Sequence, residues 1–350
     1  MNIAQDYQII KIFSLTVLSF VVTILWTPAL THFLYKYKLG KKIRDDKSAP
    51  IFSSLHQKKS GTPVMGGLLI WVTTFALAVL IYYLGKFSGL EFFQKLNFLT
   101  RSGTLLPLGA LVATALVGLV DDVLNVRGIG PYGGGLKIRH RLLIYTAIAA
   151  VGAYWFYFKL DWDVLHVPFL GNYSIGWWYI PIFIFVIVAT SFSVNEIDGL
   201  DGLSGGTLLA AFVVYSVIAY AQGRYELATF CGVIVGALFA FLWFNIPPAR
   251  FFMGDTGAMA LGTTLGVVAM LTNTALVLPV IGLLFVIESL SVIIQLFSRK
   301  FLKRKIFLSA PIHHHLEAIG WPETKIVMRF WVISAVSAVA GLIIILIDKT

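Results

Sequence analysis

Cysteine and charged side chains are scarce in this chain of 350 residues. It contains one cysteine, Cys231, and only 13% of its residues are charged. A single cysteine excludes an internal disulfide and a metal site built from several thiolates. The longest polar stretches, at about 35–65 and 299–326, have the length of loops, so no soluble domain is expected. The internal repeats that mark many transporters are also missing.

Apolar residues, in contrast, make up 58% of the chain, more than a soluble domain can bury. Runs of about 18 or more apolar residues recur, long enough to cross a hydrocarbon core of about 30 Å as helices. Ten spans are predicted, at about 12–34, 66–84, 103–120, 142–159, 177–194, 203–221, 227–246, 257–273, 275–297 and 327–347. The first is too long for a typical signal peptide and is interpreted as a retained span. We therefore predict an all-α, polytopic integral membrane protein forming one domain over residues 1–350.

Lysine and arginine are distributed unevenly between the two sides of these spans. Of the 27 basic residues, 19 fall in the odd-numbered loops and 7 on the opposite side. Loops rich in Lys and Arg remain in the cytoplasm, so both termini are predicted on the external side. The net charge of +10 follows from this bias and accompanies no nucleic-acid-binding motif, so no nucleic-acid partner is expected.

Polar residues gather in six short clusters at the predicted cytoplasmic ends of the spans. The clusters are Lys59–Gly67, Asp121–Asp122, Asn195–Leu203, Phe244–Ala249, Phe252–Gly257 and Ala310–His315. Ionisable groups at membrane depth are costly and are functional candidates by default. The pattern predicts a membrane-embedded enzyme whose active site faces the cytoplasm.

Three aspartates are the first candidates for chemistry. Asp121 and Asp122 end the third span, where a helix C-terminus carries partial negative charge. They form either a solvated helix end or a site where Mg²⁺ or a nearby Lys offsets two acids. Asp255 begins the eighth span, where it could simply cap the helix. Several carboxylates at one face without cysteine ligands favour Mg²⁺ over zinc.

Asn195, Asp198 and Asp201 are spaced by three residues. On a helix they would share a broad face. Gly199 and Gly202 favour instead a tight turn, where backbone N–H groups could hold a phosphate. An ordinary Asp-Gly turn is the third interpretation.

The run His313–His315 is predicted on an irregular segment, where adjacent side chains diverge and do not chelate one ion. Contacts with a phosphate or a sugar are expected instead. Glu288, Ser291 and Gln295 share one face of the ninth span. They form either a hydrogen-bonded seam between helices or the polar wall of a cytoplasm-facing cavity.

Taken in order, these motifs resemble the polyprenyl-phosphate N-acetylhexosamine-1-phosphate transferases. Lys59–Gly67 resembles the family's KxGTPTMGG, Asn195–Leu203 matches NxxDGLDGL, and Phe244–Gly262 resembles FNxxPAxxFMGDTGxLALG. Pro311–Trp331 resembles the segment that separates the phospho-N-acetylmuramoyl-pentapeptide transferases from relatives that use other sugars. The resemblance spans nearly the whole chain, and ten helices with external termini is also that family's arrangement.

The resemblance implies an enzyme of the bacterial cytoplasmic membrane that starts the membrane steps of peptidoglycan synthesis. Phospho-N-acetylmuramoyl-pentapeptide would pass from UDP-N-acetylmuramoyl-pentapeptide to undecaprenyl phosphate, giving lipid I and UMP, with Mg²⁺ as cofactor. Membrane lipid and a second copy of the chain, as a homodimer, are the further expected partners. Direct attack by the lipid phosphate and a covalent Asp intermediate both remain open.

The resemblance also implies roles for individual residues. Asp121, Asp122 and Asp255 would be catalytic, with Asp255 the Mg²⁺ ligand and Asp121 the candidate base or orienting group for the lipid phosphate. The other site residues would line a uridine pocket or meet phosphate and sugar. They are Lys59, Lys137, Asn195, Asp198, Gly199, Leu200, Asp201, Asn245, Phe252, Gln295, His313, His314 and His315.

Two departures from the family pattern concern charge. The family commonly has DDxxK, but here the Lys position holds Asn125, and the loop 128–141 lacks a Gln that often lies four residues after its Lys. We predict that a basic residue from this loop, with Lys137 the first candidate, supplies the missing charge.

Two other functions are also compatible with the sequence. One is a sister transferase that moves N-acetylglucosamine 1-phosphate, against which the His313–His315 segment argues. The other is a proton-coupled transporter, which would place polar residues on both sides of the bilayer midplane, whereas here they cluster at the predicted cytoplasmic ends.

Overall fold

The computed structural model describes residues 3–40, 59–101, 103–130 and 134–348. The basic residues predicted to orient the loop at 41–58, and residues 131–133 of the loop 128–141, lie outside these ranges. The described helices are α1 (Ile3–Lys36), α2 (Leu68–Phe87), α3 (Glu91–Leu96), α4 (Leu105–Arg127), α5 (Ile138–Lys159), α6 (Tyr179–Ile197), α7 (Leu203–Ala221), α8 (Tyr225–Asn245), α9 (Asp255–Leu271), α10 (Leu278–Ile281), α11 (Leu283–Phe297), α12 (Ile312–Ala318) and α13 (Glu323–Asp348). One hairpin, β1 (Val164–Val167) with β2 (Gly171–Ser174), pairs antiparallel between α5 and α6.

Eight of the described helices are long and apolar enough to cross a membrane. They are α1, α2, α4, α5, α6, α7, α8 and α13, the first seven predicted spans and the tenth. Many of their large apolar side chains are exposed, as expected where lipid is the solvent. The prediction of an all-α, polytopic membrane protein is confirmed.

The eighth and ninth spans differ from the other eight. Helix α9 has 17 residues, and every one after Asp255 is buried, because α4, α6 and α7 surround it. The ninth span is two helices, α10 and α11, which meet at Gly282 with φ −103° and ψ 40°. This conformation interrupts the helix between α10 and α11.

Helices α4 and α9 pack closely at the end where α4 finishes and α9 begins. A Cβ atom added to Gly118 of α4 would clash with the backbone of Asp255 and Thr256. The Thr256 hydroxyl donates to the Ala115 carbonyl at 2.8 Å. A larger residue at Gly118 would separate the helices, so this contact fixes the distance between the acids of α4 and the start of α9.

The segment before α2 joins the same end of the bundle through its backbone. The amides of Gly66 and Gly67 donate to the carbonyls of Phe252 and Met253, both at 2.8 Å, and the Phe252 amide donates to the Pro63 carbonyl at 2.8 Å. Because α4, α6, α8 and α9 also begin or finish here, the predicted polar clusters meet at one end of the bundle. The hairpin and the ends of α5, α7, α9 and α13 lie at the other end.

Candidate active site

One arginine bridges two of the predicted catalytic aspartates. Arg141 Nη2 lies 2.7 Å from Asp121 Oδ2 and 2.8 Å from Asp255 Oδ2, and its Nη1 donates to Asn195 Oδ1 at 2.9 Å. Asn195 Nδ2 donates in turn to Asp255 Oδ1 at 2.6 Å, and the Leu136 amide donates to Asp121 Oδ1 at 2.6 Å. These contacts join α4, α5, α6 and α9 at one point. We call Asp121, Asp122, Asp255, Arg141 and Asn195 the acidic cluster.

Asp122 is held differently from its neighbour Asp121. Its two carboxylate oxygens each accept a backbone N–H, from Asp255 and from Thr256, both at 3.0 Å. The first N–H groups of a helix have no partner within the helix, and a carboxylate there also meets the positive end of the helix dipole. Asp122 therefore caps α9 from a different helix and fixes the position of Asp255 at the start of α9.

Gly254 makes this cap possible. Its φ is +76°, a left-handed value that residues with a Cβ rarely adopt. A Cβ atom at this position would also lie 2.6 Å from Asp122 Oδ2. Any other residue would both strain the backbone and push the capping carboxylate away.

The acidic cluster has the donor set that Mg²⁺ prefers. Asp121 and Asp255 direct hard carboxylate oxygens at one point, where Arg141 now balances their charge, and Asp255 is 13% exposed. Among the described residues no three Asp, Glu, His or Cys side chains are grouped closely enough to enclose a metal ion. Mg²⁺ usually takes only one or two carboxylates and completes its shell with water and substrate phosphates. The residues present fit such an open site.

A second ionic group lies between the segment before α2, the α6–α7 turn and α13. Lys59 Nζ lies 2.7 Å from Asp201 Oδ1 and 2.5 Å from Glu323 Oε1. Glu323 Oε1 also accepts the Asp201 amide at 2.8 Å, and Asp201 Oδ2 accepts the Ala249 amide at 3.1 Å. We call Lys59, Asp201 and Glu323 the Lys59 group. These contacts join the segment before α2, the α6–α7 turn and the α8–α9 loop to the start of α13.

Residues 198–202 form a tight turn, which was one of the three interpretations of this motif. Asn195, in contrast, lies near the end of α6. Asp198 accepts the Ser204 hydroxyl at 2.6 Å, and Gly202 has φ +80°. The Gly202 amide donates to Asn245 Oδ1 at 2.9 Å, and Asn245 Nδ2 donates to the Phe251 carbonyl at 2.8 Å. Asn245 thus positions the turn from inside the protein.

The histidine run lies on a short helix, α12, where we expected an irregular segment. His313 and Glu288 are fully buried, with His313 Nδ1 2.9 Å from Glu288 Oε2. His313 Nε2 has no hydrogen-bond partner among the described residues and is directed at Gly199, where an added Cβ would clash with it. His314 Nδ1 lies 2.7 Å from Glu317 Oε2. Glu288 therefore orients His313 toward the 198–202 turn.

The remaining predicted site residues differ in their burial and in the hydrogen bonds that they form within the protein. Gln295 Oε1 accepts the amides of Ile306 and Phe307, at 3.1 and 3.0 Å, so its side chain shapes the segment after α11. His315 Nδ1 accepts the Leu308 amide at 3.2 Å. Leu200 is buried and Phe252 is partly buried, whereas Lys137 is exposed at the start of α5.

Sequence reasoning assigned no individual role to Arg141, one of the Lys and Arg residues of the loop 128–141 from which the missing charge was predicted, or to Glu323. Both occurred in recognised segments, but nothing in the spacing shows that Arg141 crosses to α4 and α9. Arg141 also lines a cavity of about 200 Å³ with Tyr145, Asn195 and Glu196. The Arg141 Nε and Tyr145 hydroxyl groups are buried there without hydrogen-bond partners among the described residues. Such donors suit phosphate oxygens.

Comparison with known proteins agrees with this geometry. Residues 104–273 match the model of Glycosyl transferase family 4. A phospho-N-acetylmuramoyl-pentapeptide-transferase of Chloroflexus aggregans is 39% identical over 342 residues, covering 94% of this chain and 88% of the relative. The proteins of that name from Geobacillus thermodenitrificans and Clostridium novyi are 38% and 35% identical, covering 93% and 92% of this chain and 95% and 93% of the relatives. This similarity extends over both ionic groups, and the chain belongs to the family of phospho-N-acetylmuramoyl-pentapeptide transferases.

Proposed function

We propose that the acidic cluster is the reaction centre of a Mg²⁺-dependent phospho-sugar transferase. Phospho-N-acetylmuramoyl-pentapeptide passes from its UDP-linked donor to undecaprenyl phosphate, giving lipid I and UMP. This is the first membrane step of peptidoglycan synthesis, in agreement with the names of the relatives. The observation that carries the proposal is the meeting of Asp121, Asp255 and Arg141 at one point of the bundle.

Phosphoryl transfer asks a protein mainly for positioning and for neutralisation of charge. Asp255 and Asp121 would hold Mg²⁺, which when bound withdraws charge from phosphate oxygens. Arg141 and the Tyr145 hydroxyl donate to phosphate oxygens from the adjoining cavity. Asp121, held by the Leu136 amide, is also placed to orient the lipid phosphate. Asp122 acts through the position of Asp255 and touches no substrate.

The nucleotide and sugar would lie along the wall made by the Lys59 group and the 198–202 turn. Lys59, held by Asp201 and Glu323, would meet the diphosphate, and the partly buried Phe252 ring would offer a face for the uracil base. His313 and His314, which meet the turn at Gly199, are placed for the sugar. Lys137, exposed at the start of α5, is available to a phosphate arriving from solvent.

The distribution of basic residues supports an orientation with this end in the cytoplasm and both termini outside. A soluble nucleotide donor and a membrane-bound acceptor then meet where the helices end. The multi-pass chain would lie in the bacterial cytoplasmic membrane as a homodimer.

The test is UMP release by the purified protein with undecaprenyl phosphate and Mg²⁺. UDP-N-acetylmuramoyl-pentapeptide and UDP-N-acetylglucosamine are compared as donors, with and without EDTA. We expect UMP from the pentapeptide donor alone, lost with EDTA and restored by added Mg²⁺. Release from UDP-N-acetylglucosamine alone would assign the sister reaction, and release that persists in EDTA would remove the metal from the proposal.

A further inference from the structure

A second cavity, of about 410 Å³, lies at the end of the bundle opposite the acidic cluster. Its walls come from the hairpin region, the α7–α8 loop, the α9–α10 loop and the end of α13. The residues that line it include Trp162, His166, Asn172, Gln222, Arg224, Asn273 and Asp348. We call this space the hairpin cavity. The proposed transferase reaction uses none of these residues.

Hydrogen bonds hold the walls of the hairpin cavity together. The His166 amide donates to Asn273 Oδ1 at 3.1 Å, and Gln222 Nε2 donates to the Thr272 carbonyl at 2.8 Å. The His166 ring contacts Asn172 Oδ1 at 2.8 Å through Nδ1, and Asp348 through Nε2. The cavity is therefore fixed by contacts between segments far apart in sequence.

Arg224 is the uncompensated charge in this cavity. Its guanidinium group lies over the Trp162 ring at 5.2 Å and forms no ion pair with a described residue. The lining acid, Asp348, is already used: it pairs with His166 and accepts the Phe169 amide at 2.5 Å. Partial burial lowers the pKa of Arg224 from its ordinary value, and no carboxylate offsets that cost. A cation held this way favours an anion.

Gln222 requires a hydrogen-bond donor from the occupant of the cavity. Its Oε1 atom is buried and has no hydrogen-bond partner among the described residues. A buried acceptor without a donor is costly, so the occupant should supply an O–H or N–H group. The cavity therefore favours an occupant that places an anion at Arg224 and donates a hydrogen bond to Gln222. A phosphate group that carries a hydroxyl or an ammonium group satisfies both.

Exposed aromatic residues place the hairpin cavity at a membrane surface. Trp177 and Trp178 follow the hairpin with their rings stacked at 4.2 Å, and both are more than half exposed. Phe169 and Leu170 at the hairpin tip are also exposed. Tryptophan side chains such as these two collect at the level of lipid headgroups. A phospholipid headgroup is thus within reach of the cavity, as is soluble phosphate.

We propose that the hairpin cavity binds a phosphate-bearing group, with the phosphate on Arg224 and a hydroxyl or ammonium donor on Gln222. The guanidinium plane, supported by Trp162, offers two parallel N–H donors to phosphate oxygens. The site is independent of the transferase reaction at the other end. It would let lipid or phosphate bind without touching the acidic cluster.

The test uses detergent-purified, full-length protein and two probes. Binding of dihexanoylphosphatidylglycerol is measured by native mass spectrometry, with dihexanoylphosphatidylcholine for comparison, and binding of inorganic phosphate by calorimetry. Arg224→Gln should weaken binding by about tenfold or more, since it removes a charge-assisted hydrogen-bond donor. The matched control is Lys159→Gln, which removes an exposed charge at the same end of the bundle and should leave binding unchanged.

Arg224-dependent binding of the lipid without phosphate binding supports a headgroup site, and equal dependence for both probes supports a site for small phosphates. Binding that Arg224→Gln leaves unchanged, or that Lys159→Gln weakens equally, overturns the proposal. Unchanged transferase turnover would show that Arg224→Gln is folded. If Arg224→Gln does not fold, Arg224→Lys takes its place. This variant keeps the positive charge but loses the two parallel N–H donors, so it should bind several-fold more weakly and retain wild-type thermal stability.

Discussion

The acidic cluster and the hairpin cavity lie at opposite ends of the helix bundle and carry opposite local imbalances of charge. At one end Asp121 and Asp255 share a single arginine while Asp122 caps α9, and at the other Arg224 lines a cavity whose lining acid is already paired. The same helices, α5, α7, α9 and α13, contribute to both ends. The acidic cluster is therefore suited to a cation, and the hairpin cavity to an anion. Local pairing explains this difference, whereas the net charge of +10 does not.

The largest effect is expected from Asp255→Asn. The amide keeps the shape of the side chain but removes the charge that faces Arg141 and the proposed metal. We expect turnover to fall by about 10³-fold, with little change in thermal stability. UMP release at several Mg²⁺ concentrations measures this. Asp163→Asn, which removes an acid at the hairpin end, is the control, and similar losses in both variants would contradict the contrast between the ends.

Arg141→Gln should have the next largest effect. It leaves Asp121 and Asp255 without their shared cation and removes donors from the adjoining cavity. A loss of about 10²-fold in kcat is expected. Arg139→Gln, an exposed neighbour on the same helix, should retain activity. If Arg141→Gln kept full turnover and Lys137→Gln lost it, the charge at this site would come from Lys137 instead.

Asp122→Asn should affect stability more than chemistry. Its amide group would face a backbone N–H donor, so one of the two caps on α9 is lost. Hydrogen bonds to charged groups contribute about 1.5–3 kcal/mol, and we expect a comparable loss in the free energy of unfolding. Thermal unfolding in detergent measures it. Asp121→Asn is the comparison and should lose turnover with a smaller loss of stability; the reverse order would exchange their roles.

Hydropathy and polar clustering were sufficient to predict the helical membrane fold and the end of the bundle where the polar clusters meet. Both depend on local composition, which the sequence shows directly. The ninth span was predicted as continuous because an apolar run does not reveal that Gly282 leaves the helical conformation. The His313–His315 segment was expected to be irregular, but it lies on the short helix α12, where His313 packs against Glu288.

Individual roles in the acidic cluster could not be predicted in the same way. Asp121 and Asp122 are adjacent in sequence, but on a helix they point about 100° apart, so one meets Arg141 and the other meets the backbone of α9. Arg141 reaches Asp255, 114 residues away. Contacts of that range depend on how helices pack, which residue spacing along one segment does not encode.

The smallest effect is expected at the hairpin end, from His166→Ala. The His166–Asp348 pair joins the hairpin to the end of α13, and the His166 side chain is 26% exposed. Partly exposed ion pairs contribute less than about 1 kcal/mol, because solvent screens them and the side chains lose freedom. Thermal stability should therefore fall slightly and turnover should stay within about twofold of wild type. Asp348→Asn in the same background should add little, since the His166 ring is already gone and the Asn oxygen can still accept the Phe169 amide. A large loss of turnover in His166→Ala would mean that the two ends are coupled through α13, and that the charge imbalances at the two ends are not independent.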